Sequence, residues 1–395
     1  MKIITLPRIA DKGVFALAVS QFGMAFANNF VMVIMPFYIL KISHLSHQAT
    51  TLWIGFIIAG AAVTTTLAAP FWGGMTARVS PKFLFERGLF CSALVILLMG
   101  FADNIYLLFV LRVLQGFVGG ASTIGLILTA SLSPPGRLRS NMSLFQNSIT
   151  AGQLLGPPAG AYAVALLGYQ APFYLSCAMI FVFLIFCHRH VGYIPPQGEA
   201  PRTKASLKKS LLFGWFLCMI GTVHLNFIPP ILPHILDTFR LGEKEALSAA
   251  GMIMMSYTAS AIAGSYLICK ISSSLGFKKV MILSLLMAAL FQLLLVFSEG
   301  VRSFTVLRML QCAFMAAIFP LTISAFARHV GGKAIGFLNS ARFFGNAAGP
   351  LLATSVVAFA DLFTLYLVIA GLTLGSLWFV AASMQREESE GGPVT

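Results

Sequence analysis

Charge is what this chain has least of: only 10% of its 395 residues are charged, and just 12 of them are acidic. No polar stretch is long enough to build a separate water-soluble domain, which leaves no room for an attached catalytic or nucleic-acid-binding module. Cysteine is scarce and unpaired in its spacing. Cys91, Cys177, Cys187, Cys218, Cys269 and Cys312 fall in or beside apolar runs and read as small apolar fillers, neither disulfides nor metal ligands. A Gly-Lys-Ser/Thr phosphate loop is missing, as are a His-Glu-x-x-His pair and a serine elbow. The sequence therefore offers no catalytic residues, no metal site and no cofactor.

Apolar residues, by contrast, make up 58% of the chain, and its mean hydropathy is +0.88. A bilayer core takes about 20 apolar residues per helix. The runs at 14–41, 52–75, 83–101, 105–130, 141–165, 172–188, 211–236, 246–270, 280–298, 303–327, 336–359 and 363–384 predict twelve spans, hence an all-α membrane protein. The first run is too long for a cleaved leader and reads as retained. A net charge of +14 invites a nucleic-acid partner, but its distribution tracks a lipid bilayer instead. With the amino terminus inside, 19 of the 26 Lys and Arg lie on cytoplasmic segments; only Lys41, Arg240, Lys244 and Arg302 lie outside. That asymmetry predicts both termini in the cytoplasm.

Gly152, Gly156 and Gly160 recur every fourth residue, so on a helix they form one smooth stripe for a neighbouring backbone. Pro157 and Pro158 remove donors along that stripe, which predicts a bend and a hinge. The design returns 193 residues later as Gly345, Gly349 and Pro350, with Ala353 in the third small position. Leu-Arg112-Val-Leu-Gln115 likewise returns as Leu-Arg308-Met-Leu-Gln311. The chain therefore reads as duplicated: a six-helix bundle over 1–188, a cytoplasmic linker at 189–210 carrying Pro195, Pro196 and Pro201, a second bundle over 211–384, and a disordered tail at 385–395.

Gly73-Gly-Met-Thr-Ala-Arg78-Val-Ser-Pro-Lys82 resembles the loop signature of the major facilitator superfamily, Gly-x-Leu-Ala-Asp-Arg-x-Gly-Arg-Lys. Gly73, Arg78 and Lys82 match; Ala77 replaces the Asp, and Ser80 and Pro81 replace Gly and Arg. The segment from Arg112 to Gly120 is similar to the family's fourth-span signature, and Gly156-Pro157 to the fifth-span signature of its exporters. The chain thus resembles the twelve-span drug/proton antiporter branch, like bacterial multidrug exporters. The resemblance implies two pseudo-symmetric six-helix bundles rocking about a central site lined by spans one, four, seven and ten. It also implies a monomer in the bacterial inner membrane, with Arg78 and the glycine–proline stripes as gate and hinge. The missing Asp removes the family's usual latch on the cytoplasmic side; Glu86 is a substitute or the partner of a local base.

No acidic residue falls at mid-bilayer, where antiporters of this family commonly carry the proton; Asn28 and Asn29 stand where the first span could hold one. The middle holds Arg112, Arg308 and Arg342 with Gln115, Gln311, Asn28 and Asn346. Charges there are costly, so they should face protein or water. Guanidinium groups open to water would form an anion site suited to carboxylates. Gln21, Met24, Asn28, Met32 and Met35 share a helix face that is either a ligand wall or a helix interface. His224 is either a proton relay with Arg112 or a neutral, hydrogen-bonded core residue. The expected function is alternating-access export of an anionic or zwitterionic small molecule, such as a carboxylate siderophore or organic acid. The alternatives are a broad multidrug/proton antiporter for lipophilic compounds and, from another class, a membrane receptor or intramembrane enzyme.

Overall fold

Inside a bilayer every backbone polar group needs an internal partner, so helix breaks are confined to places where other groups satisfy the chain. A computed structural model describes residues 12–134, 137–196, 209–327 and 332–389. Lys2, Arg8, Arg202, Lys204, Lys208 and Arg328, most of the expected linker and the end of the tail lie outside these residues. In chain order the helices are α1 Lys12–Met32, α2 Met35–Ile42, α3 His47–Met75, α4 Pro81–Met99, α5 Ile105–Val118, α6 Ala121–Leu132, α7 Leu138–Leu167 and α8 Ala171–His190. They continue as α9 Lys209–Asn226, α10 Leu232–Thr238, α11 Glu243–Leu275, α12 Phe277–Leu294, α13 Val301–Ala316, α14 Ile318–Ala327, α15 Gly332–Phe359 and α16 Leu362–Ser389. Each of the twelve apolar runs is helical, and α16 continues past residue 384, where the sequence ended its last span. Eight candidate spans among the described residues are long and apolar enough to cross a membrane by length and composition alone. α4 falls short because Lys82, Glu86 and Arg87 sit in its first turns.

Four runs are interrupted, and these are the first, fourth, seventh and tenth. The first breaks between α1 and α2; the fourth breaks at Gly119–Gly120; the seventh breaks through a 3₁₀ turn at Pro229–Ile231; the tenth breaks at Ala317. At the fourth, Gly120 takes φ +82°, a conformation that favours glycine. At the seventh, Pro229 and Pro230 have no N–H to give the preceding turn, so α9 stops at Asn226. The expected bend at Pro157 does not interrupt α7, which runs unbroken through both prolines, and α15 runs unbroken through Pro350.

The described chain groups into two compact units. One combines Met1–Ile34 with Thr64–Arg202, the other Met35–Val63 with Thr203–Thr395. Residues 35–63 thus group with the second unit rather than with the rest of 1–188. A Cβ at Gly55 would strike the Thr354 hydroxyl, so the missing side chain is what lets α3 approach α15. In the first unit α7 lies along α1. A Cβ at Gly152 would stand 2.6 Å from Phe26 N, and one at Gly156 2.8 Å from Phe26 O; one at Gly160 would overlap Phe30 O. In the second unit α15 repeats this against α9, with Gly345 at 2.8 Å from Met219 O and Gly349 at 3.2 Å from Val223 O. Both glycine stripes are therefore backbone-to-backbone packing seams. The second unit's core centres on Leu217, Met281, Leu285, Met315 and Ile318. Asp361 caps the start of α16, accepting from Thr364 N at 2.7 Å, and hydrogen bonds from Thr364 hold its carboxyl below the ordinary range.

Candidate functional site

The repeated Arg-x-x-Gln pair builds the same local contact twice, because residues three apart share a helix face. On α5, Arg112 Nη1 donates to Gln115 Oε1 at 2.6 Å; on α13, Arg308 Nη1 donates to Gln311 Oε1. Their surroundings then diverge.

Around Arg112, Nη2 reaches the Met32 thioether at 3.3 Å, and Gln115 Nε2 donates to Asn28 Oδ1 at 3.1 Å. Arg112 is 8% exposed, and its Nε has no partner among the described residues. Asn28 and Met32 therefore meet the guanidinium network as a polar wall. Gln21, Met24 and Met35, expected on the same wall, are buried. Gln21 Nε2 instead donates to Ser122 Oγ at 3.1 Å across α1 and α6, which makes this part of the face a helix interface.

Arg308 is fully enclosed, with 0% exposure. Its Nη2 donates to the carbonyls of His224 at 2.7 Å and Leu225 at 3.4 Å, and its Cζ lies 4.9 Å from the ring centroids of both Phe227 and Tyr257. Pro229 cannot donate to Leu225 O, so the α9 break orphans carbonyls that the guanidinium caps. A cation is favoured there by the helix dipole as well. The expectation that Arg308 opens to water is corrected by this enclosure. Broken-helix carbonyls and two aromatic faces take the place of water.

His224, 1% exposed, is bonded at both ring nitrogens. Thr373 Oγ1 donates to Ile369 O at 2.7 Å, so at 2.5 Å it accepts from His224 Nε2. Gln311 Nε2 donates to Nδ1 at 2.5 Å. Arg308 fixes that amide by occupying its oxygen. The network fits the neutral imidazole and leaves no free ring nitrogen, as in the core-residue reading. Gln311 Nε2 also reaches Gln292 Oε1 at 2.7 Å.

Arg342 is exposed, its Cζ 4.6 Å from the Phe319 ring centroid. Asn346 accepts from Asn226 Nδ2 at 3.0 Å, beside the seam. Among the described residues no carboxylate pairs with Arg112, Arg308 or Arg342; the ion pairs of Glu86 are with Lys82 at 3.6 Å and His188 at 3.3 Å. Glu86 is thus the partner of local bases, and Arg78, exposed in the α3–α4 turn, has no side-chain partner among the described residues.

The structural roles of Arg87, Trp72, Asn29 and Asn226 were not read from the sequence. Arg87, counted only as a cytoplasmic cation, lies 3.4 Å over the Trp72 ring and donates through Nη2 to Val118 O at 3.1 Å and Gly119 O at 3.2 Å. It caps the broken fourth span as Arg308 caps the seventh, and Trp72 Nε1 adds a bond to Phe117 O at 2.7 Å. Asn29 and Asn226 each donate back to the carbonyl four residues earlier, Ala25 O and Thr222 O. The Arg87 signal was available in its proximity to a Gly-Gly break only once the fold brought α4 beside α5.

A profile of the Major Facilitator Superfamily matches residues 17–242 and 211–394. The multidrug resistance protein MdtG of Klebsiella pneumoniae (strain 342) is 26% identical over 381 residues, covering 93% of this chain and 92% of that protein. MdtG of Salmonella heidelberg (strain SL476) is 26% identical over 376 residues, with 92% and 93% covered. Among solved structures, the nucleoside transporter NupG superposes with a TM-score of 0.74 at 15% identity, over 95% of this chain and 99% of that one. The human organic anion transporter MFSD10 superposes with a TM-score of 0.69 at 16% identity, over 95% and 100%. These structural likenesses show a shared fold. With the duplicated signatures, the helices interrupted at matching places and the family profile spanning nearly its whole length, this chain belongs to the major facilitator superfamily of membrane transporters.

Proposed function

We propose that this transporter is an alternating-access exporter of chemically varied, lipophilic small molecules in the bacterial inner membrane, acting as a monomer with both termini cytoplasmic. The observation that carries the reading is the similarity to proteins named for multidrug resistance across more than nine-tenths of both chains. The geometry bears on it too: Arg308 is committed to protein carbonyls and Gln311 and offers no open positive charge to an anion, and the exposed Arg342 lies against the Phe319 ring. The polar wall of the first half, Asn28, Met32, Arg112 and Gln115, gives hydrogen bonding beside an adaptable thioether. Arg78, Gly152, Gly156, Pro157, Gly160, Gly345, Gly349 and Pro350 serve this reading as gate and sliding seams.

An anionic cargo keeps one supporting observation: among the described residues neither Arg112 nor the exposed Arg342 has a carboxylate partner. One experiment separates the readings. Everted vesicles carrying the protein are assayed for uptake of an uncharged lipophile, a lipophilic cation and a dicarboxylate, with and without a proton gradient. Uptake of the lipophiles is expected; uptake of the dicarboxylate alone overturns the reading. A proton gradient that leaves lipophile uptake unchanged removes antiport from it.

A further inference from the structure

The second unit contains a cavity of about 940 Å³ between α9, α15 and α16. Its wall is almost wholly apolar, including Phe216, Met219, Phe344 and Leu351, and its lining reaches the buried His224. Two glycines on α16, Gly371 and Gly375, line it, and a Cβ at either would meet nothing within 4 Å. These are helical positions where glycine has no steric necessity and costs about 1 kcal/mol against alanine. Gly371, Gly375, Phe344 and Ser355 are exposed, so the cavity opens on one side, and the two glycines leave room there that side chains would take.

Polar chemistry in the cavity is limited to two side chains. His224 spends both nitrogens on Gln311 and Thr373. Ser355 is exposed and makes no side-chain hydrogen bond to the described residues, so its hydroxyl is the free donor and acceptor. A charge entering this lining would find no counter-charge among its side chains and would lose its hydration.

We propose that this cavity is a binding site for uncharged aromatic lipophiles carrying a single hydrogen-bonding group, which Ser355 meets while the rings lie against Phe216 and Phe344. The inference rests on the export function proposed above and assigns that function a site within the second unit, separate from the Arg112 wall.

The test uses benzophenone, which is uncharged, has two aromatic rings and one carbonyl acceptor, and forms a covalent adduct on irradiation. The purified full chain is irradiated with it, and the adducts are mapped by peptide mass spectrometry. Adducts are expected on α9, α15 and α16 residues of the cavity and are expected to be suppressed by the non-photoreactive analogue diphenylmethanol. Gly371→Leu and Gly375→Leu should lower the yield about tenfold by occupying the space. Ser355→Ala should lower it several-fold, and Leu374→Ala, on the same helix outside the lining, should leave it unchanged. Unaltered labelling in the filled variants, or adducts mapped elsewhere, overturns the proposal. A phospholipid that copurifies with the wild type, is lost from the filled variants and alone suppresses labelling makes the cavity an acyl-chain seat and overturns it too. If a leucine variant does not elute monodisperse, Gly375→Ala and Ser355→Ala carry the test. Labelled protein that transports no lipophile sinks the export function but not the site; Gly371→Leu protein that loses labelling yet transports normally sinks the site's role but not the function.

Discussion

The two halves carry one Arg-x-x-Gln pair each, and the pair does different work in each. Arg112 meets a thioether on α1, and the Nε of both arginines lacks a partner among the described residues. Arg308 is walled in by two aromatic rings and caps the carbonyls freed where α9 ends. A duplicated motif fixes the local hydrogen bond; the neighbouring helices decide whether the charge is structural or available. The half with the proline-broken seventh span uses its arginine as a helix cap. The half with the glycine-broken fourth span assigns that task to Arg87 and Trp72, which leaves Arg112 for the polar wall.

Removing the two arginines gives the sharpest contrast. Arg308→Met should destabilise the protein by about 3–5 kcal/mol, because buried carbonyls and the Gln311 amide lose a charged partner. Arg112→Met should cost only about 1–2 kcal/mol while changing transport. Equal losses of thermal midpoint in detergent would erase the distinction drawn between the halves.

The seams differ in tightness. Gly160→Ala drives a methyl into Phe30 O and should cost about 1–3 kcal/mol, whereas Gly349→Ala, whose Cβ would stand 3.2 Å from Val223 O, should cost less. Paired unfolding measurements would show whether the first seam is the more rigid one. At the fourth span, Arg87→Ala should cost about 1–2 kcal/mol through loss of the cap, and Arg87→Lys should recover only part of it. Full recovery by Lys would mean that charge alone matters there.

Asn226 bridges to Asn346 in addition to bonding its own helix, whereas among the described residues the Asn29 side chain makes only the bond within its helix. Asn226→Ala should therefore exceed Asn29→Ala by about 1 kcal/mol. The smallest expected effect is on pH dependence. His224→Gln should lower protein yield yet leave the pH profile of transport between about 5 and 8 unshifted, since an imidazole bonded at both ring nitrogens, donating at one and accepting at the other, takes up no second proton. A flattened profile would restore the relay with Arg112.

Much of this architecture could be read directly along the chain. Apolar runs and the paired glycine stripes are local or periodic properties, and they locate the helices and the seams in which Gly152 and Gly345 meet α1 and α9. The prolines were harder to read. Pro157 and Pro158 pass inside an intact helix, whereas Pro229 and Pro230 end one, and the residue type is the same in both cases. The openness of Arg308 could not be read at all, because it depends on Phe227, Tyr257 and two carbonyls supplied by other helices. The same holds for Asn28 and Gln21, which share a stripe yet reach different partners.

The sequence by itself determined that this is a duplicated, all-helical membrane protein with arginines where few charges are tolerated, because hydropathy and periodicity act over one or two helical turns. Only the tertiary structure decided which arginine is sealed, where the helices break, and that α16 leaves a glycine-lined space beside His224. Those outcomes depend on which unsatisfied groups and which side chains distant segments bring to the same place.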